Sequence, residues 1–301
     1  MKVIDYIKTP RRIGAYLTRH LFSHTLSDES FVRWMYLFEV GKFPNLAYPQ
    51  TYNEKIQWLK LNDVHHDYTR MVDKYAVKEY VRERIGKKYI IPTIAVWDSF
   101  DEIDFTSLPN QFVLKTTHDS GGVAIVKDKS TMNVAEIRRK IEKSLSHNYF
   151  YDSREYPYRN VKPRIIAEKY MVDESGTELK DYKIFCFNGK PKVIQVDYDR
   201  FVEHKRNMYD TDWKRLPFTL KYPTDWNREF KRPKNLDLML ELASELSAGI
   251  PHLRVDLYNI NGDIYFGELT FFHGSGHEKF TPEEWNVTLG NWLVLPQNKK
   301  K

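Results

Sequence analysis

Cysteine is almost absent from the sequence, which has a single one, Cys186, among 301 residues. One thiol excludes an intrachain disulfide and any metal site built from several cysteines, and it is typical of a reducing compartment. No segment approaches the roughly 18 consecutive apolar residues that a membrane-spanning helix needs. The basic N-terminal segment also lacks the continuous apolar stretch of a signal peptide. We therefore expect a soluble, cytoplasmic protein.

Low-complexity sequence is missing as well. The chain is 41% hydrophobic, 15% aromatic and 29% charged, with 13 glycines and 14 prolines. This composition excludes disordered and collagen-like proteins. The length suffices for one large domain or two ordinary ones, so the sequence indicates a folded protein of enzyme size.

The net charge of +6 resides at the two ends of the chain. Residues 1–20 contribute a net +4 and the last three lysines +3, which leaves the body of the chain close to neutral. Because the body has no basic stripe with interleaved aromatic residues, no nucleic-acid partner is expected. Residues 2–20 could rest on an anionic surface such as the inner face of a membrane. A basic helix packed on its own protein is the commoner alternative.

Hydrophobic spacing predicts an α+β fold with antiparallel sheets and peripheral helices. Helices are expected within 29–63 and over 68–85, 133–147 and 235–248, and Thr51 with Glu54 predicts a capping box. Asn188-Gly189 and Asn261-Gly262 are typical of hairpin turns. The predicted strands, short runs rich in β-branched and aromatic residues, are 89–91, 94–97, 112–114, 123–126, 164–170, 182–187, 191–198, 253–259 and 264–271.

The first candidate site is a predicted strand that ends in Lys115 and leads into the small residues Ser120, Gly121 and Gly122. Such a hairpin can place a lysine and several backbone N–H groups around a phosphate, because small residues allow close approach. It is not a P-loop, since the GxxxxGK[ST] pattern followed by a helix is absent. An ordinary glycine hairpin is the alternative.

The second and third candidate sites are predicted strands interrupted by charge. Glu168, Lys169 and Tyr170 lie on one strand, and Asp181 and Lys183 begin the next. Buried charges are retained only when they are paired or used, although charges at a strand edge would also explain the pattern.

The Asn261-Gly262 hairpin sets Asp256 and Glu268 on neighbouring strands, with Arg254 on the same strand face as Asp256. Two facing carboxylates repel each other unless a cation or a proton lies between them. Magnesium takes one or two carboxylates together with substrate phosphates. A surface ladder of ion pairs is the alternative reading of these residues.

Together the three segments resemble the ATP-grasp superfamily, and the region of Arg254, Asp256 and Glu268 is similar to the D-alanine–D-alanine ligases. Short motifs resemble the TupA-like branch more closely, from about residue 43 to 295. These motifs are TYNEKIQW at 51–58, DKY at 73–75, VWD at 96–98, FCFNGKP at 185–191, HKRN at 204–207 and GELT at 267–270.

The resemblance implies an ATP-grasp fold, in which two α+β subdomains clasp ATP behind a short helical N-terminal region. The implied division is a helical region at 1–65, a small subdomain with the lysine and glycine loop at 66–160, and a C-terminal subdomain with the metal site at 161–298. The implied activity is that of an ADP-forming carboxylate–amine ligase, which phosphorylates a carboxylate and lets an amine attack the acyl phosphate.

The implied ligands are ATP, Mg²⁺, and a small-molecule carboxylate and amine. The family context suggests a uronic acid or acidic amino acid in cell-surface polysaccharide biosynthesis, free or carried on a sugar nucleotide or lipid-linked glycan. The resemblance assigns nucleotide contacts to Lys74, Lys115, Ser120, Gly121, Gly122, Glu168, Lys169, Tyr170 and Asp181. It assigns the transferring phosphoryl group to Lys183 and Arg206, the acyl phosphate and oxyanion to Arg254, and the metal to Asp256, Glu268 and Thr270.

Two residues depart from the superfamily pattern. Thr270 stands where the third metal ligand is usually an asparagine, and Asp119 stands in the loop where a small residue is expected. A carboxylate beside phosphates is unfavourable unless it turns outward.

A glycosyltransferase is the alternative function, because Asp197 and Asp199 form a DxD pattern that can chelate a metal bound to a nucleotide sugar. Against it, no Rossmann-like succession of parallel strand–helix–strand units surrounds the motif.

Overall fold

The computed structural model describes residues 10–172, 181–199 and 203–297. Three helices come first: α1 (Pro10–His20), α2 (Asp28–Val40) and α3 (Tyr52–Asn62). The predicted capping box is present at the start of α3, where Thr51 accepts a hydrogen bond from the N–H of Glu54 and the Glu54 carboxylate accepts one from the N–H of Thr51. Residues 1–9 of the basic segment lie outside the described residues.

A buried arginine ties the first two helices to the middle of the chain. The guanidinium of Arg154 lies 2.8 Å from the Asp28 carboxylate, stacks 4.2 Å above the ring of Phe31 and donates to the carbonyl of Ser23. Arg154 follows α7 (Phe150–Ser153). The N-terminal helices are therefore fixed against the segment that runs into Glu155.

The predicted helix over 68–85 is broken into α4 (Asp67–Val72) and α5 (Val77–Arg84). The carboxylate of Asp73 accepts hydrogen bonds from the N–H groups of Tyr75, at 2.8 Å, and Ala76, at 3.1 Å. Because an aspartate can satisfy these groups outside a helix, it competes with the helical ladder. The break places Lys74 in a turn, where its N–H donates to the carbonyl of Thr117.

A four-stranded antiparallel sheet follows, with strands β1 (Thr93–Trp97), β2 (Phe112–Thr116), β3 (Val123–Val126) and β4 (Ile165–Lys169) in the order β1-β4-β2-β3. One face is apolar and packs on α6 (Val134–Leu145) through Leu114 and Ile141. The other face carries Lys115 and Glu168. The predicted strand at 89–91 is wrong, since Lys87–Tyr89 forms a 3₁₀ turn and Pro92 then contributes no N–H group to a ladder.

The second sheet has five antiparallel strands in the order β10-β9-β5-β6-β7. Both predicted hairpin turns are confirmed: φ is 50° and 77° at Asn188 and Gly189, and 55° and 95° at Asn261 and Gly262. The left-handed conformation at both positions is what a type I′ turn requires. The strands are β5 (Asp181–Phe187), β6 (Lys190–Tyr198), β7 (Lys205–Tyr209), β9 (His252–Ile260) and β10 (Asp263–Thr270).

Helix α8 (Leu236–Ser247) covers the apolar face of this sheet, where the Cys186 thiol contacts the carbonyl of Ala243. Lys183 points to the other face, opposite Asp256, which in turn lies opposite Glu268. The short strands β8 (Thr219–Leu220) and β11 (Phe280–Thr281) pair with each other, and α9 (Glu284–Trp292) packs on α3. Across the described ranges, no helix is long and apolar enough to cross a membrane.

His252 anchors α3 to the start of β9. One ring nitrogen lies 3.0 Å from the Tyr52 hydroxyl and the other 2.6 Å from the carbonyl of Phe271. Burial lowers the pKa of His252 to about 3, and the hydrogen bond to Phe271 only partly offsets that effect. The neutral imidazole is therefore the form that the fold accommodates.

This burial predicts that the free energy of unfolding falls as the pH drops from about 6.5 towards 4.5, because only the unfolded chain then protonates His252. A single such group contributes at most about 1.4 kcal/mol per pH unit. We expect His252→Gln to reduce, by about one, the number of protons taken up on unfolding, as given by the slope of the free energy of urea unfolding against pH. The exposed His24→Gln is the control. A slope equal to that of the wild type would contradict the assignment.

Candidate active site

Two cavities lie along the charged faces of the sheets. The first has a volume of about 920 Å³, and its lining includes Lys115, Glu168, Lys169, Tyr170 and Tyr258. The second has a volume of about 540 Å³, and its lining includes Ser120, Arg254, Glu268 and Thr270. Eight of the predicted site residues therefore line one cavity or the other.

Glu168 lies between two lysines in the first cavity. Its carboxylate is 2.6 Å from the ammonium group of Lys115 and 2.5 Å from that of Lys78. Burial would raise the pKa of Glu168, but the two ammonium charges lower it below its usual value. Lys78 was not predicted as a site residue, although it lies only four residues after Lys74.

Asp119 turns away from the cavities. Its carboxylate accepts hydrogen bonds from the hydroxyls of Thr116 and Ser144, both at 2.5 Å, and from the N–H of Gly122, at 3.2 Å. Burial would raise the pKa of Asp119, but these hydrogen bonds lower it. The aspartate thus anchors the loop from inside, which leaves Ser120 and Gly121 exposed.

Lys74 connects the break between α4 and α5 to the same loop. Its ammonium group donates to the carbonyl of Asp119. Burial lowers the pKa of Lys74, although Glu268 and Asp119 oppose this effect. A lysine held against the loop carbonyl is close enough to Glu268 for the two charges to interact.

Lys183 and Arg206 are buried among carboxylates of the five-stranded sheet. Lys183 pairs with Asp181 and lies 3.4 Å from Asp256. The guanidinium of Arg206 lies 2.7 Å from Asp197 and 3.1 Å from Glu278. Both cations are placed beside the cavities rather than among the residues that line them.

Arg254 links the carboxylates of β9 and β10. Its guanidinium binds both oxygens of Asp256, at 2.7 and 2.8 Å, and Oε1 of Glu268, at 2.8 Å. It also donates to Nδ1 of His273, at 2.7 Å, and Nε2 of that ring donates to Glu278, at 2.9 Å. Burial would lower the pKa of Arg254, but the charges of Asp256 and Glu268 raise it.

Glu268 is the carboxylate of this group that remains open to solvent, with its side chain 47% exposed. Enclosure in the cleft would raise the pKa of Glu268, but the charges of Arg254, Lys74 and Lys183 lower it. The hydroxyl of Thr270 lies 3.4 Å from the Glu268 carboxylate.

Within the described ranges, no three His, Cys, Asp or Glu side chains are grouped to hold a metal by themselves. Asp256 and Glu268 nevertheless fit magnesium, which needs only one or two carboxylates when phosphates complete its shell.

Asp197 and Asp199 do not converge. The Asp197 carboxylate faces Arg206, while Asp199 lies 2.6 Å from Arg228 at the exposed end of β6. The DxD pattern therefore forms no metal site among the residues described, which leaves the glycosyltransferase alternative without its metal-binding motif.

A family model described as TupA-like ATPgrasp matches residues 54–294, which is most of the chain. The chain belongs to the TupA-like ATP-grasp family. Its α+β architecture is accordingly the ATP-grasp fold, as the sequence motifs implied. Among curated proteins, none matches this TupA-like chain significantly in sequence.

Solved structures of other ATP-grasp proteins are similar to this chain at low identity. D-alanine–D-alanine ligase from Bacillus anthracis, complexed with ATP, has 16% identity and a TM-score of 0.39 over 67% of this chain and 54% of that one. N5-carboxyaminoimidazole synthetase from Staphylococcus aureus, complexed with ADP, has 14% identity and a TM-score of 0.38 over 66% and 43%. The chain thus spans about half the length of these enzymes.

The loop anchor generates a stability prediction with a matched pair of variants. A Cβ added at Gly122 would lie 2.0 Å from the hydroxyl of Thr116 and 2.4 Å from that of Ser144, whereas one added at Gly121 would meet its nearest neighbour, Asp119, at 3.5 Å. We expect Gly122→Ala to lower the free energy of unfolding by about 1–3 kcal/mol, and Gly121→Ala to change it by less than about 0.5 kcal/mol. Urea unfolding measures both, and equal effects would contradict the close packing of Gly122 on the two hydroxyls.

Proposed function

We propose that this TupA-like protein is an ATP- and magnesium-dependent carboxylate–amine ligase that forms an amide through an acyl phosphate. The observation that carries the proposal is the position of Arg254 and Glu268. A fixed guanidinium and an exposed carboxylate border a cavity of about 540 Å³, and a second, larger cavity lies along the lysine-bearing sheet. Such a pair of cavities suits a reaction in which a nucleotide transfers a phosphoryl group to a separate substrate.

The first cavity is proposed to bind ATP. Glu168 and the backbone from Lys169 to Tyr170 would bind the adenine edge, and Asp181 would bind the ribose hydroxyls. Lys115 would lie near both adenine and phosphate. The loop that Asp119 anchors would close over the phosphates, because it presents small residues and backbone N–H groups without a competing charge. The loop residues are Ser120, Gly121 and Gly122. Lys74 would contact the phosphates beside them.

Phosphoryl transfer needs positive charge where the negative charge of the phosphoryl oxygens spreads. Lys183 and Arg206 would supply it, since both are held in place by buried carboxylates. Asp256 and Glu268, with Thr270 beside them, would hold magnesium, which neutralises phosphate oxygens when bound. Arg254 would stabilise the acyl phosphate and the oxyanion of the tetrahedral intermediate, because its guanidinium is oriented by Asp256 and His273.

The substrates are proposed to be a uronic acid or acidic amino acid and a small amine, used in cell-surface polysaccharide biosynthesis. The acceptor could be free, carried on a sugar nucleotide or linked to a lipid. The resemblance to the TupA-like branch supports this context. We further propose a cytoplasmic location, with residues 2–20 contacting the inner face of the membrane, and the three-part division at residues 1–65, 66–160 and 161–298.

The direct test is turnover of the purified protein with magnesium and ATP, across uronic acids crossed with amines, beside a panel of UDP-sugars. ADP release that depends on both an acid and an amine supports the ligase. Turnover of a nucleotide sugar without ATP binding would instead overturn it.

The metal assignment predicts that Glu268→Gln lowers ADP release by at least about 100-fold, because it removes the exposed ligand carboxylate. The melting temperature should change little, since the side chain is 47% exposed. Asp263→Asn, at the exposed start of the same strand, is the matched control. Wild-type turnover in the Glu268 variant would show that the carboxylate does not hold the metal.

A further inference from the structure

The second cavity is lined by four carboxylates, and three of them have a cationic partner. Glu268 lies 2.8 Å from Arg254, Glu278 lies 3.1 Å from Arg206, and Glu39 lies 3.5 Å from Arg19. Glu155 differs from these three. Among the described side chains, no basic group lies within 4 Å of it, and its Oε1 has no hydrogen-bond partner.

Glu155 is also the most deeply buried of the four, with 3% of the residue exposed. It immediately precedes the 3₁₀ turn Tyr156–Tyr158, and its N–H donates to the hydroxyl of Ser153 at 3.3 Å. A buried acceptor oxygen without a donor costs about 1–3 kcal/mol. The fold therefore retains an unfavourable group that a ligand with hydrogen-bond donors would satisfy.

Lys60 is the cation whose charge acts most strongly on Glu155, but its own hydrogen bonds go to Ser275. Its ammonium group donates to the carbonyl and hydroxyl of Ser275, at 2.9 and 2.7 Å. Burial raises the pKa of Glu155, and the charges of Lys60 and Arg254 and the hydroxyls of Ser275 and Ser153 oppose that rise.

Two tyrosines complete the surroundings of Glu155. Its charge raises the pKa of Tyr149 and, after burial, that of Tyr158. Both phenols are therefore protonated at neutral pH and do not compete with Glu155 as bases. The pKa of Tyr158 is also affected by the charges of Glu268 and Arg254, and Tyr158 lines the second cavity together with these residues and Glu155.

We propose that Glu155 is the residue that receives the amine substrate: its carboxylate binds the substrate's ammonium group in the second cavity and takes the proton that must leave before attack. The inference rests on the proposed ligase function. An ammonium group offers three hydrogen-bond donors and a positive charge, which complements a buried carboxylate whose Oε1 accepts no hydrogen bond. The paired carboxylates Glu39, Glu268 and Glu278 would first have to give up their cations.

The protons balance in this step. The substrate ammonium gives one proton to Glu155 and becomes a free amine. The amine nitrogen attacks the acyl carbon, the C–N bond forms, and the bond between that carbon and the phosphate oxygen breaks. The phosphate leaves with the bonding electron pair and takes the second nitrogen proton, so the products are the amide, hydrogen phosphate and a protonated Glu155 that returns its proton to solvent.

Hydroxylamine as the amine distinguishes deprotonation by Glu155 from the earlier steps of ATP binding and acyl phosphate formation. It is uncharged at neutral pH, so it attacks an acyl phosphate without first losing a proton to the protein. Alkylamines such as ethanolamine and L-lysine are almost fully protonated at pH 7 and need the base. The experiment measures hydroxamate and amide formation with Mg-ATP and D-glucuronate, D-galacturonate or L-glutamate, for the wild type, Glu155→Gln and the exposed control Glu142→Gln.

We expect Glu155→Gln to form hydroxamate at close to the wild-type rate and to lose amide formation by about 100-fold, within the range of general-base catalysis. Its residual amide formation should rise about tenfold per pH unit, as the free amine becomes available. Equal loss of both products, or retention of both, would overturn the role of Glu155. A wild type that forms neither product with any acid and amine would overturn the ligase function itself.

A second measurement needs no variant, in case Glu155→Gln does not fold. In the wild type, the ratio of amide to hydroxamate formed should level off above the pH at which Glu155 ionises, because the base then removes the substrate proton. A ratio that keeps rising tenfold per pH unit up to the pKa of the amine would show that no protein base acts, and would overturn the inference.

Discussion

The charged row across β5, β9 and β10 determines how the rest of the site is arranged. Lys183, Asp256 and Glu268 are neighbours in the register of three strands, and the Arg254 guanidinium joins the last two. Lys183, Arg254 and Asp256 could not be buried alone, because an uncompensated charge in the interior is costly. Because they neutralise one another, they can be fixed side by side on one face of the sheet, and it is on this face that we propose phosphates and a metal to bind.

Features that depend on local sequence were predicted correctly. The capping box at Thr51 and the two Asn-Gly hairpins involve hydrogen bonds and dihedral angles between near neighbours, so a short pattern suffices to specify them. The α+β class also follows from the spacing of apolar runs. The hairpin that brings the strands of Asp256 and Glu268 together could be predicted from its tight turn. Their direct facing could not, because the register shifts by one residue between Phe266 and Glu268.

Features that depend on distant parts of the chain were missed. The turn after Asp73 is held against the loop after β2 by Lys74, whose N–H donates to the carbonyl of Thr117. No local sequence pattern indicates this contact. Lys78 reaches Glu168, and Glu155 reaches the second cavity, only when segments far apart in the sequence pack together. Asp119 was expected to be unfavourable near phosphates, and the fold resolves this by burying its carboxylate against the hydroxyls of Thr116 and Ser144, two residues 28 positions apart in the chain.

The buried Arg154 has a consequence for how such a protein can change its acceptor. It fixes α1 and α2 to the chain next to Glu155, so the helices contribute Arg19 and Glu39 to the second cavity, while the described lining of the first includes no residue from either helix. In the ligase that we propose, substitutions on these helices would reshape the acceptor side without changing the residues that line the nucleotide side. The helices that border the second cavity can therefore diverge while the lining of the first is kept.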